Sequence, residues 1–218
     1  MTVSGKMREL IDQVLQHVPR DFFTIQELGR LLAGTPDSRY ARIKRALDSG
    51  DLLRIKRGLY VLAPRFRKRT LDPYSLSQYI YGPSYISLES ALSHHGWIPE
   101  GVFHVTAVCA KKSRTFETPM GIFRFTRVPQ KVLYAGVDRR VDEAGNVWFM
   151  AEPLKALLDY LAVYKRHWKD PSAVETDMRI DASLLLDVPI EVMERLAANY
   201  DSRRIHSFLN MLRRKKKP

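Results

Sequence analysis

The chain of 218 residues contains a single cysteine, Cys109, and no long uninterrupted run of apolar residues. One cysteine excludes an internal disulfide, so an apolar core has to stabilise the fold, and the apolar surroundings of the thiol suit a reducing cytoplasm. Without a long apolar run we expect no membrane-spanning helix, and the first residues show no pattern of a secretory signal peptide. The sequence therefore predicts a cytoplasmic globular protein.

Motifs of common enzyme classes are also missing, since there is no glycine-rich phosphate loop, no G-x-S-x-G motif and no kinase signature. His94 and His95 are adjacent, with His104 nearby, but neighbouring helical residues point about 100° apart and cannot readily chelate one ion together. We expect no catalytic residue, no metal ion and no cofactor. Five carboxylates that could pair as acid and base are interpreted as ordinary surface groups: Glu89, Glu100, Glu117, Glu152 and Asp159.

Positive charge is abundant but unevenly distributed in a chain whose formal net charge is +12. Residues 1–70 hold fifteen Lys and Arg against seven Asp and Glu, whereas residues 71–212 hold sixteen against seventeen. The stretch RRKKK at 213–217 adds five cations. A basic N-terminal part joined to a near-neutral body indicates a polyanion-binding domain carried by a domain with another task. Residues 71–212 are expected to have little means to hold duplex DNA.

Residues 36–63, PDSRYARIKRALDSGDLLRIKRGLYVLA, predict a helix, a stop and a two-stranded hairpin. Thr35 and Asp37 are candidate N-caps, and Asp48-Ser49-Gly50 ends the helix. Glycine at the hairpin turn supplies the positive φ that a tight turn needs. Apolar residues at helical spacing predict one buried stripe, Tyr40, Ile43 and Leu47. Arginines recur at the same spacing on another face, at Arg39, Arg42 and Arg45.

Two further helices are predicted before this stretch. Apolar residues from Met7 to Val18 predict a helix over residues 5–18, which Pro19 ends. Thr24 and Glu27 form a capping-box pattern at the start of the second helix, although Thr24 and Gln26 could instead meet phosphate.

Helix, helix, arginine-bearing helix and hairpin is the order of a winged helix-turn-helix domain, which we assign to residues 1–66. Its third helix would enter the major groove, and its hairpin would contact the DNA backbone or minor groove. The alternative is a solvated basic helix beside an ordinary hairpin. The predicted DNA-binding residues are Ser38, Arg39, Arg42, Lys44, Arg45, Lys56, Arg57 and Gly58.

The remainder predicts a second domain over residues 71–212, after a basic linker at 65–69, which makes the fold class α+β. Strands at 102–110, 115–117, 122–128, 132–137 and 147–150 would form a central antiparallel sheet, with Phe103 and Cys109 on one strand face. Helices are expected at 88–95, with Ser87 as N-cap, from Pro153, and in the C-terminal stretch. Residues 213–218 are expected to form a disordered basic tail.

Three stretches resemble the AbiEi-type antitoxins of type IV toxin–antitoxin and abortive-infection systems: LDSGDLLRIKRGLYVLAP, YISLESALSHHGWIPE and AEPLKALLDYLAVY. The resemblance implies a bacterial antitoxin that represses its own operon by binding inverted repeats. It also implies that the second domain neutralises a nucleotidyltransferase-like toxin, and it leaves open whether the two proteins touch. The arginine-bearing helix and the hairpin match the family's DNA-reading elements, whereas the two later stretches carry packing residues and no catalytic group.

Two other functions remain open at this stage. The protein could be a stand-alone transcriptional regulator whose second domain senses a ligand or dimerises, and a neighbouring toxin gene would argue against this. It could also be a nuclease tethered to DNA by its first domain, which metal-dependent cleavage abolished by mutation of a carboxylate would reveal.

Overall fold

The computed structural model describes residues 3–68 and 70–216, and only the backbone of residues 3–9, so Met7 of the expected stripe lies outside the described side chains. The described chain confirms a mixed α+β protein. Its helices are α1 Val3–His17, α2 Ile25–Leu31, α3 Pro36–Asp48, α4 Pro73–Tyr81, α5 Leu88–His94, α6 Pro153–Tyr164, α7 Pro171–Met178, α8 Ala182–Asp187, α9 Ile190–Ala197 and α10 Arg203–Lys216. Its strands are β1 Phe22–Thr24, β2 Leu52–Lys56, β3 Leu59–Leu62, β4 Ser84–Ile86, β5 Val105–Cys109, β6 Arg114–Thr118, β7 Gly121–Arg127, β8 Val137–Val141 and β9 Val147–Ala151.

The first three helices pack on a small antiparallel sheet with the strand order β1-β3-β2. The inner face of this sheet and the facing sides of the helices form one apolar core, because each element has its apolar residues at the period that its geometry requires. The buried members are Leu10, Ile11, Val14, Phe23, Leu28, Leu32, Ile43, Ala46, Leu52, Tyr60 and Leu62.

The start of α2 shows the predicted capping box. The Thr24 amide donates to Glu27 Oε2 at 2.7 Å, and the Glu27 amide donates to Thr24 Oγ1 at 3.3 Å. Arg20 adds an ion pair to the same carboxylate. Two backbone donors at the helix end are thereby satisfied, which fixes where α2 begins.

The predicted buried stripe of α3 is wrong at one position. Ile43 and Ala46 are buried and Leu47 is half-buried, but Tyr40 is 59% exposed. The helix turns its Ile43–Ala46 side toward the small sheet, so Tyr40 is rotated into solvent. Helical spacing alone does not say which side of α3 packs against the sheet, so it could not show whether Tyr40 is buried.

The second sheet has six strands in the order β6-β7-β5-β4-β9-β8. The prediction of an antiparallel sheet is wrong, because β5 pairs with β7 and β4 pairs with β9 in parallel. Strand β6 forms a hairpin with β7 at one edge, and this hairpin returns the chain alongside β5 in the same direction. At the other edge the β8–β9 hairpin does the same for β9 beside β4. The connections between strands determine whether neighbouring strands run parallel or antiparallel. The periodicity of apolar residues carries no information about these connections.

Two strand predictions differ from the structure. Strand β5 begins at Val105, where pairing with β7 begins, and Phe103 before it is 95% exposed rather than sharing a buried face with Cys109. Residues 132–136 form turns instead of a strand, since the Val132 amide donates to the Asn199 side chain at 2.8 Å. The hairpin of β6 and β7 and the strand β9 are confirmed, while β1, β4, β8, α7 and α8 were not predicted.

The C-terminal end is helical where we expected disorder. Helix α10 continues to Lys216, so the prediction of a disordered tail is wrong for residues 213–216, and residues 217–218 lie outside the described part. Four buried residues anchor this helix: Ile205, Phe208, Leu209 and Leu212. Lys216 Nζ also donates to the Val188 carbonyl at 2.6 Å. These interactions offset the repulsion between the clustered cations. The cluster of cations was the reason why the sequence predicted disorder.

The basic stretch after β3 is attached to the N-terminal helices and sheet. Arg65 pairs with Asp51, Arg67 Nε donates to the Leu62 carbonyl at 2.7 Å, and Lys68 Nζ donates to the Leu15 carbonyl at 3.0 Å. Three of the linker cations therefore have partners inside the protein. In the part of the chain that is described, no helix is long and apolar enough to cross a membrane.

The outer face of the small sheet packs against the C-terminal part of the chain. Phe22, Ile55, Leu59 and Val61 belong to the same apolar cluster as the residues of the six-stranded sheet and its helices. The rings of Phe22 and Tyr79 lie 4.9 Å apart in an edge-to-face arrangement. The helices and the small sheet that carry the predicted DNA-binding residues are thus packed against the rest of the protein.

Candidate nucleic-acid interface

Helix α3 begins at a well-defined cap. Thr35 is the N-cap, with its hydroxyl accepting from the Ser38 amide at 3.3 Å, and Pro36 occupies the first turn. Asp37, the other candidate, is an exposed residue of the first turn. Gly34 precedes the cap with φ +108°, and a Cβ there would lie 2.5 Å from Ser38 Oγ. A glycine is therefore required for the tight turn that sets the direction of α3.

The solvent-facing side of α3 presents Lys44 and Arg45, both exposed. Among the described residues, neither side chain has a hydrogen bond or ion pair to the protein. Ser38 is half-buried, and its hydroxyl donates to the Thr35 carbonyl at 2.9 Å. Asp37 and Asp48 are exposed near the two ends of the helix. The middle of α3 thus offers two cations whose charges are available to an external anion.

Arg39 and Arg42 are oriented differently from Arg45. Arg39 donates to the Gly34 carbonyl from both Nε, at 3.1 Å, and NH2, at 2.7 Å. Arg42 NH2 donates to the Ala33 carbonyl at 3.3 Å. Both guanidinium groups thereby brace the turn between α2 and α3. Both arginines therefore carry a structural role.

The hairpin between β2 and β3 brings Arg57 into solvent at its tip. Gly58 has φ +80°, and its carbonyl accepts from the Ile25 amide at 2.9 Å, so the tip lies against the start of α2. Gln26, in the first turn of α2, is exposed, whereas Thr24 forms the capping box. Arg54 on β2 is also exposed, an additional cation that our sequence-based set omitted.

Lys56 is placed differently from the rest of the predicted set. Its side chain is half-buried, and Nζ donates to the Ile80 carbonyl at the end of α4 at 2.5 Å. Burial lowers the pKa of Lys56, and the nearby charges of Lys111 and Arg114 lower it further. The structure therefore brings Ser38, Lys44, Arg45, Arg57 and Gly58 to the surface or its edge and directs Lys56 toward the C-terminal part.

A buried ionic cluster in the C-terminal part was missed by sequence reasoning. Asp159, expected at the surface, is fully buried and accepts from Lys155 at 2.9 Å, Tyr85 at 2.8 Å and Tyr200 at 2.7 Å. Ser87 is the N-cap residue of α5, as predicted, but its hydroxyl donates to Asp159 Oδ2 at 2.8 Å and makes no capping hydrogen bond. The available signal was a Lys and an Asp four residues apart inside an otherwise apolar helix. Since every member has partners, the cluster is structural.

Stability should fall at alkaline pH because of this cluster. Burial, followed by the charge of Asp159, raises the pKa of Tyr85 and of Tyr200 well above the ordinary value. A tyrosine in the unfolded chain ionises at about pH 10. Above that pH, Tyr85 and Tyr200 lose their protons in the unfolded chain but keep them in the folded chain. The stabilising contribution is complete below about pH 10 and disappears as pH rises toward the raised folded values. Lys155, whose pKa burial lowers, acts oppositely but at pH values below about 10.4.

Urea unfolding at a series of pH values would measure this effect. The stability advantage of the natural chain over Tyr200→Phe should shrink as the pH rises above about 10, because phenylalanine does not ionise. An advantage that stayed constant through this range would contradict the raised pKa.

The histidines do not form a metal centre in the described part of the chain. His94 and His95 have ring centroids 5.4 Å apart at 84°, and His95 Nε2 lies 2.9 Å from the Ala151 carbonyl oxygen. No group of three His, Cys, Asp or Glu among the described residues is placed to hold an ion.

Residues 11–63 match the family model described as transcriptional regulator, AbiEi antitoxin. The matched segment runs from within α1 past the end of β3, and it contains every predicted DNA-binding residue. The predicted resemblance is confirmed for this segment. None of the curated proteins with which the chain was compared matches it.

Proposed function

We propose that the chain binds operator DNA through a winged helix-turn-helix domain at residues 1–66 and represses its own operon as an antitoxin. The main support is that Lys44 and Arg45 on α3 have no hydrogen bond or ion pair among the described residues. Both lie within a segment that matches a transcriptional regulator family. A regulator with exposed cations on a helix surface has the means to hold a polyanion.

The order of the elements supports the winged arrangement. Three helices and a small sheet of order β1-β3-β2 place α3 next to a hairpin, with the hairpin tip against the start of α2. In winged helix-turn-helix proteins the corresponding helix lies in the major groove, and the preceding helix crosses the DNA backbone. We assign base contacts to the exposed side of α3 and phosphate contacts to Arg57 and the start of α2.

The side-chain interactions of Arg39, Arg42 and Lys56 refine three of the assignments. Arg39 and Arg42 brace the turn before α3, so their first role is to set the position of the reading helix. Lys56 is held by the Ile80 carbonyl at the C-terminal end of α4, where a cation is favoured by the helix dipole. Lys44 and Arg45 are then the foremost candidates for direct base reading.

The antitoxin role is proposed for residues 71–212, which form most of the larger apolar cluster. It is supported by the family match of the N-terminal segment and by the near-neutral net charge of this part. The partner we propose is a nucleotidyltransferase-like toxin encoded next to the gene. The basic stretch 65–69 marks the division between the two parts.

Salt-dependent DNA binding tests the proposal. The full chain should bind a mixed-sequence duplex with an affinity whose log–log salt slope is about −0.9 for each neutralised phosphate, or about −4 to −5 for five phosphates. Fluorescence anisotropy with a labelled duplex at several salt concentrations measures this slope. A flat response, or a preference for single strands, would show that the exposed cations do not serve duplex binding.

A further inference from the structure

A group of cations outside the helix-turn-helix segment lies next to the β2–β3 hairpin. The turn between β5 and β6 carries Lys111 and Lys112, and β6 begins with Arg114; all three are exposed. The strand β6 that follows this turn contacts β2 of the hairpin. The near-zero net charge of residues 71–212 therefore conceals a local cationic site at one edge of the six-stranded sheet.

The end of α4 fixes the position of these cations relative to the hairpin. Lys56 of β2 donates to the Ile80 carbonyl at 2.5 Å, and Lys111 Nζ lies 5.3 Å from the centroid of the adjacent Tyr81 ring. The Tyr81 hydroxyl donates to the Lys112 carbonyl at 3.1 Å. Two consecutive residues at the end of one helix thus hold the hairpin lysine on one side and the β5–β6 turn on the other.

The aromatic residues beneath the turn keep it in place. The Arg114 guanidinium lies 4.9 Å from the Phe116 ring centroid, and the Phe116 and Tyr81 rings are 5.4 Å apart. Cation–π interactions of this kind orient a positive side chain without neutralising it. The charges of Lys111 and Arg114 consequently remain available at the surface.

No carboxylate among the described residues pairs with Lys111, Lys112 or Arg114. The like charges are close enough to Lys56 that they lower its pKa, after the larger effect of burial. Clustered cations without counter-charges repel one another, and an external anion relieves that repulsion. Arg54 and Arg57 of the hairpin are exposed as well.

We propose that Lys111, Lys112 and Arg114 form a second phosphate-binding surface, which holds the backbone of duplex DNA beside the segment that α3 and the hairpin contact. The proposal rests on the DNA-binding function proposed above and assigns part of that function to the C-terminal part of the chain. Contacts between lysine or arginine side chains and DNA phosphates do not depend on the base sequence. They therefore add affinity for every duplex and position it on the protein. The occupant is the DNA backbone because β6 contacts β2 of the hairpin, and Lys111 and Arg114 are close enough to Lys56 to affect its charge.

The test compares full-length variants in duplex binding across salt. The triple variant Lys111→Ala, Lys112→Ala, Arg114→Ala should reduce the magnitude of the log–log salt slope by about 0.9 for each phosphate that is no longer neutralised, or about 2–3 in total. A matched control removes three exposed cations elsewhere, Arg139 on the opposite edge strand β8, Lys169 and Arg203. The control should keep the natural slope.

Charge-conserving replacement completes the test. The variant Lys111→Arg, Lys112→Arg, Arg114→Lys should bind with the natural slope, because the charges remain. Equal slopes for the triple alanine variant and the natural protein would overturn the second surface while leaving DNA binding by α3 intact. An equal reduction of the slope in the alanine variant and the control would overturn it too, since total charge alone would then explain the result. If the natural protein itself binds duplex without salt dependence, the proposed function fails first.

Discussion

Replacing Lys155 by methionine is expected to lower the free energy of unfolding by about 3–5 kcal/mol, since it removes one partner of a buried ion pair. Lys155 and Asp159 are both fully buried, and Nζ lies 2.9 Å from Asp159 Oδ1. The ammonium group also donates to Tyr85 at 2.8 Å and to Gln130 at 2.8 Å. Without it the Asp159 carboxylate would keep its tyrosine and serine donors but would have no counter-charge in a medium that water does not reach.

Urea or thermal unfolding of the full chain measures this decrease. The matched control is Lys131→Met, because Lys131 pairs with Asp201 at 3.1 Å with both side chains mostly exposed. Such a surface pair contributes at most about 1 kcal/mol. A second variant, Lys155→Met with Asp159→Leu, should recover part of the stability by removing the stranded charge. Equal effects of the two single lysine replacements would show that burial does not govern the pair.

The double variant Lys44→Ala, Arg45→Ala is expected to abolish operator preference while leaving weak, salt-dependent duplex binding. Both side chains are exposed on α3 and, within the described residues, have no protein partner to retain them. Removing a side chain that reads a base costs about 1–3 kcal/mol of discrimination. The affinity of the double variant for the operator, relative to a mixed-sequence duplex, should therefore fall at least about tenfold. Anisotropy titrations with both duplexes give this ratio.

Two controls separate base reading from damage to the fold. Lys169→Ala with Arg203→Ala removes the same charge from exposed positions in the C-terminal part and should leave the operator preference unchanged. Arg39→Ala should lower the unfolding temperature as well as binding, because its side chain holds the Gly34 carbonyl. The Lys44 and Arg45 double variant should still protect cells from the adjacent toxin. Unchanged operator preference in it would refute the assignment of α3 as the reading helix.

Local patterns of the sequence determined the N-terminal elements. The Thr24–Glu27 capping box, the stop at Gly50 and the positive φ at Gly58 are requirements of a few neighbouring residues, so they could be recognised without knowing the rest of the chain. The identity of the cations on α3 followed from helical spacing in the same way. Their availability did not, since Arg39 and Arg42 turn back to the carbonyls before the helix.

The tertiary structure decided what lies next to what. Asp159 was interpreted as a surface carboxylate because, apart from Lys155 one turn earlier on α6, its partners Tyr85, Ser87 and Tyr200 come from separate stretches. The parallel strand pairs, the helical end at 203–216 and the meeting of Lys56 with Lys111 depend equally on contacts between distant residues. Composition reported a neutral C-terminal part, since a sum of charges contains no distances. Electrostatic interaction and desolvation depend on distance and burial, and only the folded chain sets these.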